Sequence, residues 1–117
     1  MITLNAALVD AQRKRIAIGH FNVSDLVALK AVTGAARALK VPVLIGTSEG
    51  ERDFIGVREI VAVVASLRAE LDHPIFLNAN HTHSLEHAVE AAKAGYDMRI
   101  SSYTSGRRPG IVILPGL

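Results

Sequence analysis

Short β-branched runs alternate with longer segments of helical period through the first 98 residues, and the runs recur about every 30 residues. Ile16–Asn22 reads as a strand. Ser24 is placed to cap the helix that follows, whose buried stripe is Leu26, Leu29, Val32, Thr33, Ala36 and Leu39. Val41–Gly46 is a second strand, apolar throughout, as expected where helices cover both faces of a sheet. Pro42 is tolerated near its start. Thr47–Asp53 is a polar loop, and a helix runs from about Val57 to Leu71 with Ile60, Val61, Val63, Val64, Leu67 and Leu71 inward. Pro74–Asn78 is a third strand. Ser84 caps a helix through Ala94 with Leu85, Ala88, Val89 and Ala92 on its apolar side, and Gly95 suits the C′ position. A short helix over residues 4–13, with Leu4, Ala7, Leu8 and Ala11 on one face, leads the chain.

The order βαβαβα with this spacing implies a parallel sheet with right-handed crossovers. By pattern, a doubly wound sheet and part of a (β/α)8 barrel are both allowed; a whole barrel takes ~250 residues, against 117 here. With 50% hydrophobic and 21% charged residues the chain is no disordered polyelectrolyte. The absence of cysteine excludes a disulfide scaffold, a Cys-ligated zinc finger, an iron–sulfur site and a thiol nucleophile. The start lacks the basic and apolar regions of a signal peptide. No apolar run approaches the ~20 residues of a membrane helix. A cytoplasmic protein with no membrane partner is the expectation.

Residues 1–98 carry ten Lys/Arg against eleven Asp/Glu, and residues 99–117 carry Arg99, Arg107 and Arg108 with no acid, so the formal net charge of +2 resides in the last nineteen residues. A nucleic-acid footprint needs several charges on one surface, and none is expected here. The texture changes after Asp97: residues 99–117 show no helical stripe, and Ile111–Leu114 is bracketed by Pro109-Gly110 and Pro115-Gly116. They read as an atypical tail.

Ligand sites in parallel α/β folds lie beyond the C-terminal ends of the strands. Three polar clusters fall there: His20, Asn22, Ser24 and Asp25 after the first strand, Thr47–Gly50 after the second, and Asn78–His83 after the third. His81 and His83 are imidazoles of the kind that bind zinc, although two histidines in a loop are more often metal-free. His20 is expected either in the barrel-side core or on its rim, with a satisfied core histidine favoured; His87 is expected to be partly exposed, and His73 structural at the opposite end of the sheet. Ser48 and Gly50 can present a hydroxyl and amides to a phosphate, but by themselves they are better explained as a charged surface loop, and no Walker A sequence follows.

Gly19-His20-Phe21-Asn22-Val23, Pro42–Ile45, Gly46–Gly56, Pro74–His83 and Ala94–Asp97 together resemble, in order and spacing, the N-terminal part of the class II, zinc-dependent fructose-bisphosphate aldolases. The resemblance covers roughly residues 2–98. It implies a partial (β/α)8 barrel of about three βα units, followed by the atypical tail. It implies cleavage of a ketose bisphosphate to dihydroxyacetone phosphate and an aldehyde, with zinc as Lewis acid. It implies His81 as a zinc ligand, Ser48 in the phosphate-binding loop, and Asn22 in a structural or substrate-lining role. Asn80 stands where the family carries its proton-exchanging aspartate.

An amide cannot act as a general base, a function commonly worth ~10²–10⁴-fold in rate. The family's further zinc-binding histidines and catalytic glutamate come from later strands. The expectation is therefore a truncated, inactive aldolase, with a non-catalytic α/β module that binds a sugar phosphate or a metal as the alternative. A shifted reading frame or a mistaken gene end near residue 98 is expected to account for the tail. Open sheet edges point to homo-oligomers or aggregates.

Overall fold

The computed structural model describes residues 2–101 and 112–113, with side chains through Asp97. The elements in order are α1 (Leu4–Lys14), β1 (Gly19–Asn22), α2 (Leu26–Leu39), β2 (Val43–Thr47), α3 (Glu49–Ile55), α4 (Val57–Leu71), β3 (Ile75–Thr82), α5 (Leu85–Ala94), β4 (Met98–Ser101) and β5 (Val112–Ile113). The four strands β1 to β4 lie in sequence order and pair in parallel. A doubly wound sheet reverses its strand order at a switch point; this sheet does not, so the architecture is a segment of barrel wall. β5 pairs antiparallel to β4.

Alternation along the strands separates two faces. Val43, Ile45, Ile75, Leu77 and Ala79 pack against Leu29 and Ala36 of α2, Ile60, Val64 and Leu67 of α4, and Ala91 of α5. This is the outer, helix-covered face. On the other face Leu44 and Phe76 pack against Ala7 of α1, with Leu4 and Ile18 at the margin. Helix α1 thus covers the N-terminal part of the concave face and leaves its C-terminal part open.

Polar groups fix the strand ends. His73 bonds through Nε2 to the Val41 carbonyl at 2.7 Å, which gives it the structural role expected at the N-terminal rim. Asp97 accepts from Leu77 N at 2.9 Å and from Arg68 at 3.0 Å, and its own N–H donates to Leu77 O at 2.9 Å. That clasp starts β4 beside β3.

Several expectations need correction. Asp25, not Ser24, caps α2, because its carboxylate reaches Ala28 N at 2.7 Å. Leu26 and Leu39 of the proposed stripe are exposed, as are Leu85 and Val89 of α5. They lie at helix margins that the described elements do not cover. The polar loop at 47–53 is helix α3, capped by Ser48 with a reciprocal bond from Glu51. Strand β3 runs four residues past Asn78, so Asn80 and His81 belong to a strand rather than a loop. Residues 98–101 form β4, within the stretch where the tail was expected to start; Arg107, Arg108, Ile111 and Leu114 lie outside the described residues. Among the described residues no helix is long and apolar enough to cross a membrane.

Candidate functional site

The open part of the concave face is polar because the inward positions of β1 and β3 change character along the strand. On β3 the series is Phe76, Asn78, Asn80. Phe76 meets α1, Asn78 is fully buried and Asn80 half-buried at the rim. On β1 the inward residues are His20 and Asn22. Gly46 of β2 lies between the two strands, and a Cβ there would stand 2.6 Å from His20 Nε2 and collide with Asn22 Oδ1. The missing side chain is what lets His20 cross β2 and accept from Asn78 Nδ2 at 3.0 Å.

His20 is therefore not the satisfied core histidine expected; it lies on the exposed concave face of an edge strand. Partial burial lowers its pKa, and the nearby His81 lowers it further. Both effects favour the neutral ring, which is the form that accepts from Asn78. The other end of that amide, Asn78 Oδ1, is buried with no partner among the described residues.

At the rim a chain of hydrogen bonds joins the residues singled out in the sequence. Ser48 N donates to Glu51 Oε2 at 2.5 Å, and Asn22 Nδ2 donates to the same oxygen at 3.4 Å. Asn80 Nδ2 donates to Asn22 Oδ1 at 3.3 Å, and His81 N donates to Asn80 Oδ1 at 3.0 Å. Asn22, Ser48, Asn80 and His81 thus share one rim although they come from three strand ends. Ser48 Oγ accepts from Glu51 N at 3.3 Å as the cap of α3, and its hydroxyl proton remains available to donate.

Below this rim, on the helix side, sits a residue that sequence reasoning missed. Arg52 of α3 is only 3% exposed. Its guanidinium donates to the Thr47 and Asn80 carbonyls and to Thr82 Oγ1. Burial lowers its pKa from the ordinary value, opposed by surrounding negative groups. Thr47 Oγ1 shares a 2.8 Å hydrogen bond with the buried Tyr96 hydroxyl. The Ser48-x-x-Glu51 capping signature was the available signal for the helix that carries Arg52.

His83 and His87 turn away from His81 to a separate partner. His83 N donates to Glu49 Oε2 at 2.8 Å, and His87 Nδ1 bonds Glu49 Oε1. His83 Nε2 also lies 3.6 Å from Glu49 Oε2, so the two histidines share that carboxylate. As a zinc donor, His81 has the right chemistry: an exposed imidazole on the open rim. Among the described residues no three His, Cys, Asp or Glu side chains cluster to hold a metal. These residues accordingly fit one ligand position of a zinc site, not a whole one.

The comparisons follow the same boundaries as the fold. The family model "Fructose-bisphosphate aldolase class-II" matches residues 2–102. A Bacillus subtilis protein named "Probable fructose-bisphosphate aldolase" is 31% identical over 99 residues, spanning 82% of this chain and 35% of that one. A Staphylococcus aureus fructose-bisphosphate aldolase is 29% identical over the same shares. The crystal structure of the YdjI aldolase from Escherichia coli K12 superposes with a TM-score of 0.75 at 26% identity, over 84% of this chain and 38% of that chain. The chain spans about a third of the length of the relatives it matches. Sequential parallel strands, crossover helices α2, α4 and α5 on the outer face, and a polar rim at the strands' C-terminal ends agree with that match, and the chain belongs to the class II fructose-bisphosphate aldolase family.

Proposed function

We propose that this rim is part of a ketose-bisphosphate aldolase site, whose family reaction yields dihydroxyacetone phosphate and an aldehyde in carbohydrate metabolism. The observation that carries the reading is the bonded row Asn22–Asn80–His81 beside Ser48, at the strand ends where barrel enzymes bind substrate. Ser48 donates its hydroxyl to a substrate phosphate. Asn22 and Asn80 hold a substrate hydroxyl by hydrogen bonds, and His81 offers one ligand to zinc. Zinc, when bound, supplies Lewis-acid polarisation of the ketone.

Asn80 can hydrogen-bond a hydroxyl but cannot take its proton. With an amide there and no three-ligand cluster among the described residues, the chain by itself does not turn over. In a coupled aldolase assay with added zinc, the expected rate is background, and Asn80→Asp does not restore it. Chelator-sensitive cleavage of fructose or tagatose bisphosphate by the unmodified chain would overturn this.

Asn80 also supports a second reading, a non-catalytic module that binds a sugar phosphate or a metal, because losing the base need not abolish binding. A one-to-one calorimetric zinc titration that disappears in His81→Ala supports it. The cytoplasm is the compartment this metabolism implies. The expected frame change near residue 98, with residues 99–117 as tail, falls inside the family match and β4, so we place any such change after residue 102 and propose that the residues following it are unrelated to the barrel. A barrel-like continuation in another frame of the adjoining DNA is the expected finding, and its absence from both frames refutes the idea.

A further inference from the structure

His81 interrupts the alternation that Phe76, Asn78 and Asn80 follow along β3. The register between β3 and β4 shifts between Ala79 and Thr82, which marks a bulge. His81 within it has φ 47°, in the left-handed region that a residue with a Cβ rarely adopts. Ala79 and Thr82 on either side are fully buried, whereas His81 is exposed. A bulge of this kind re-aims a side chain, and here it turns His81 to the open rim beside Asn80, which the regular alternation already places there.

A left-handed histidine in mid-strand persists only if its surroundings hold it. Two groups flank it. The Asn80 carbonyl accepts from Arg52 Nη1 at 3.1 Å, and Thr82 Oγ1 accepts from Arg52 Nη2 at 3.1 Å. A third bond ties the same Nη1 to the end of β2 at Thr47 O. Among the described residues Arg52 makes no salt bridge. A buried guanidinium without a carboxylate is strongly unfavourable unless its donors are used. A lysine offers no such planar fork.

We propose that Arg52 is a positioning residue for His81: its guanidinium holds the peptide neighbours of His81 on both sides and so sets the direction of the imidazole. The use of that direction, to present a metal ligand, rests on the proposed function; the conformational role does not. Arg52 touches no reacting atom in this scheme and acts only through the bulge.

The test is NMR of the full chain without metal. The ¹³Cα and ¹³Cβ shifts and the HN–Hα coupling of His81 report its backbone, and amide exchange at Ile45 and Leu77 reports the sheet. In the unmodified chain His81 is expected to show left-handed values. In Arg52→Lys, which keeps the charge but cannot bridge both acceptors, those values move to extended ones while Ile45 and Leu77 keep their protection. Thr82→Val, which removes one arm, moves His81 in the same direction by less. Left-handed values retained in Arg52→Lys overturn the proposal. If Arg52→Lys instead loses protection throughout the sheet, Thr82→Val decides, and an unchanged His81 there overturns it too. Where the unmodified chain binds zinc, Arg52→Lys weakens that binding roughly 10-fold or more, the usual effect of removing a partner that orients a ligand. A local His81 response without any zinc binding would sink the metal reading and uphold the positioning role.

Discussion

Tyr96 shows how one buried side chain reports on the site. Its hydroxyl is buried against Thr47, and burial raises its pKa above the ordinary 10.0, opposed by the Thr47 hydrogen bond and the Arg52 charge. A raised folded-state pKa favours the protonated form. The stability it confers is intact below pH 10 and is lost as pH rises through the folded-state value. The chain has two tyrosines, so Tyr103→Phe leaves Tyr96 as the sole source of phenolate absorbance. Ionisation is expected to begin above pH 10 and to accompany unfolding; titration at or below pH 10 in the folded chain would contradict it. At this scale the sequence was informative where chemistry is local. Asn22, Ser48, Asn80 and His81 were singled out by their place at strand ends together with the family resemblance, and the fold brings the four to one rim. Arg52 was not found, since a buried arginine and a solvated one look alike until the strands that surround it are in place. His20 was misjudged for a related reason, because its place depends on Gly46 being empty beside it.

Helix α3 is the element where local and tertiary effects divide most clearly. Seven residues do not form an independent helix in water. What holds them is the Ser48–Glu51 capping box at one end and the burial of Arg52 and packing of Ile55 against the core at the other. Ser48→Ala is expected to cost about 1 kcal/mol, the usual worth of an N-cap side chain. Urea titration of the purified variant measures it, and a change within error of zero would show that Arg52 alone holds the helix. The long helices were legible because their period is sustained: α4 spans Val57–Leu71 as read, and Ser84 and Gly95 cap α5 as read. Strand β3 was read short because Asn78 and Asn80 look like loop residues. In the strand they occupy every second, inward position and leave Leu77 and Ala79 to the core.

At the scale of the whole molecule, strand β1 is the exposed feature. All four of its residues are exposed, whereas all five of β2 are buried. Phe21 on it is 50% exposed, and Leu26 and Val27 at the start of the next helix are exposed as well. Among the described strands β1 pairs only with β2, so its other edge offers free backbone groups to a second chain. Self-association is the expected outcome in size-exclusion chromatography with light scattering, and a sharp monomer peak would count against it. The sequence by itself determined the parallel α/β class, the sustained helices and the polar strand ends, because periodicity, capping and turn residues act over a few neighbours. Periodicity left barrel wall and doubly wound sheet open; the family resemblance implied the barrel, and the sequential strand order bears that out. Tertiary structure alone placed a guanidinium against the β3 bulge. That placement depends on groups 28 residues apart meeting across strands, as Arg52 and Asn80 do, and no local pattern encodes such a meeting.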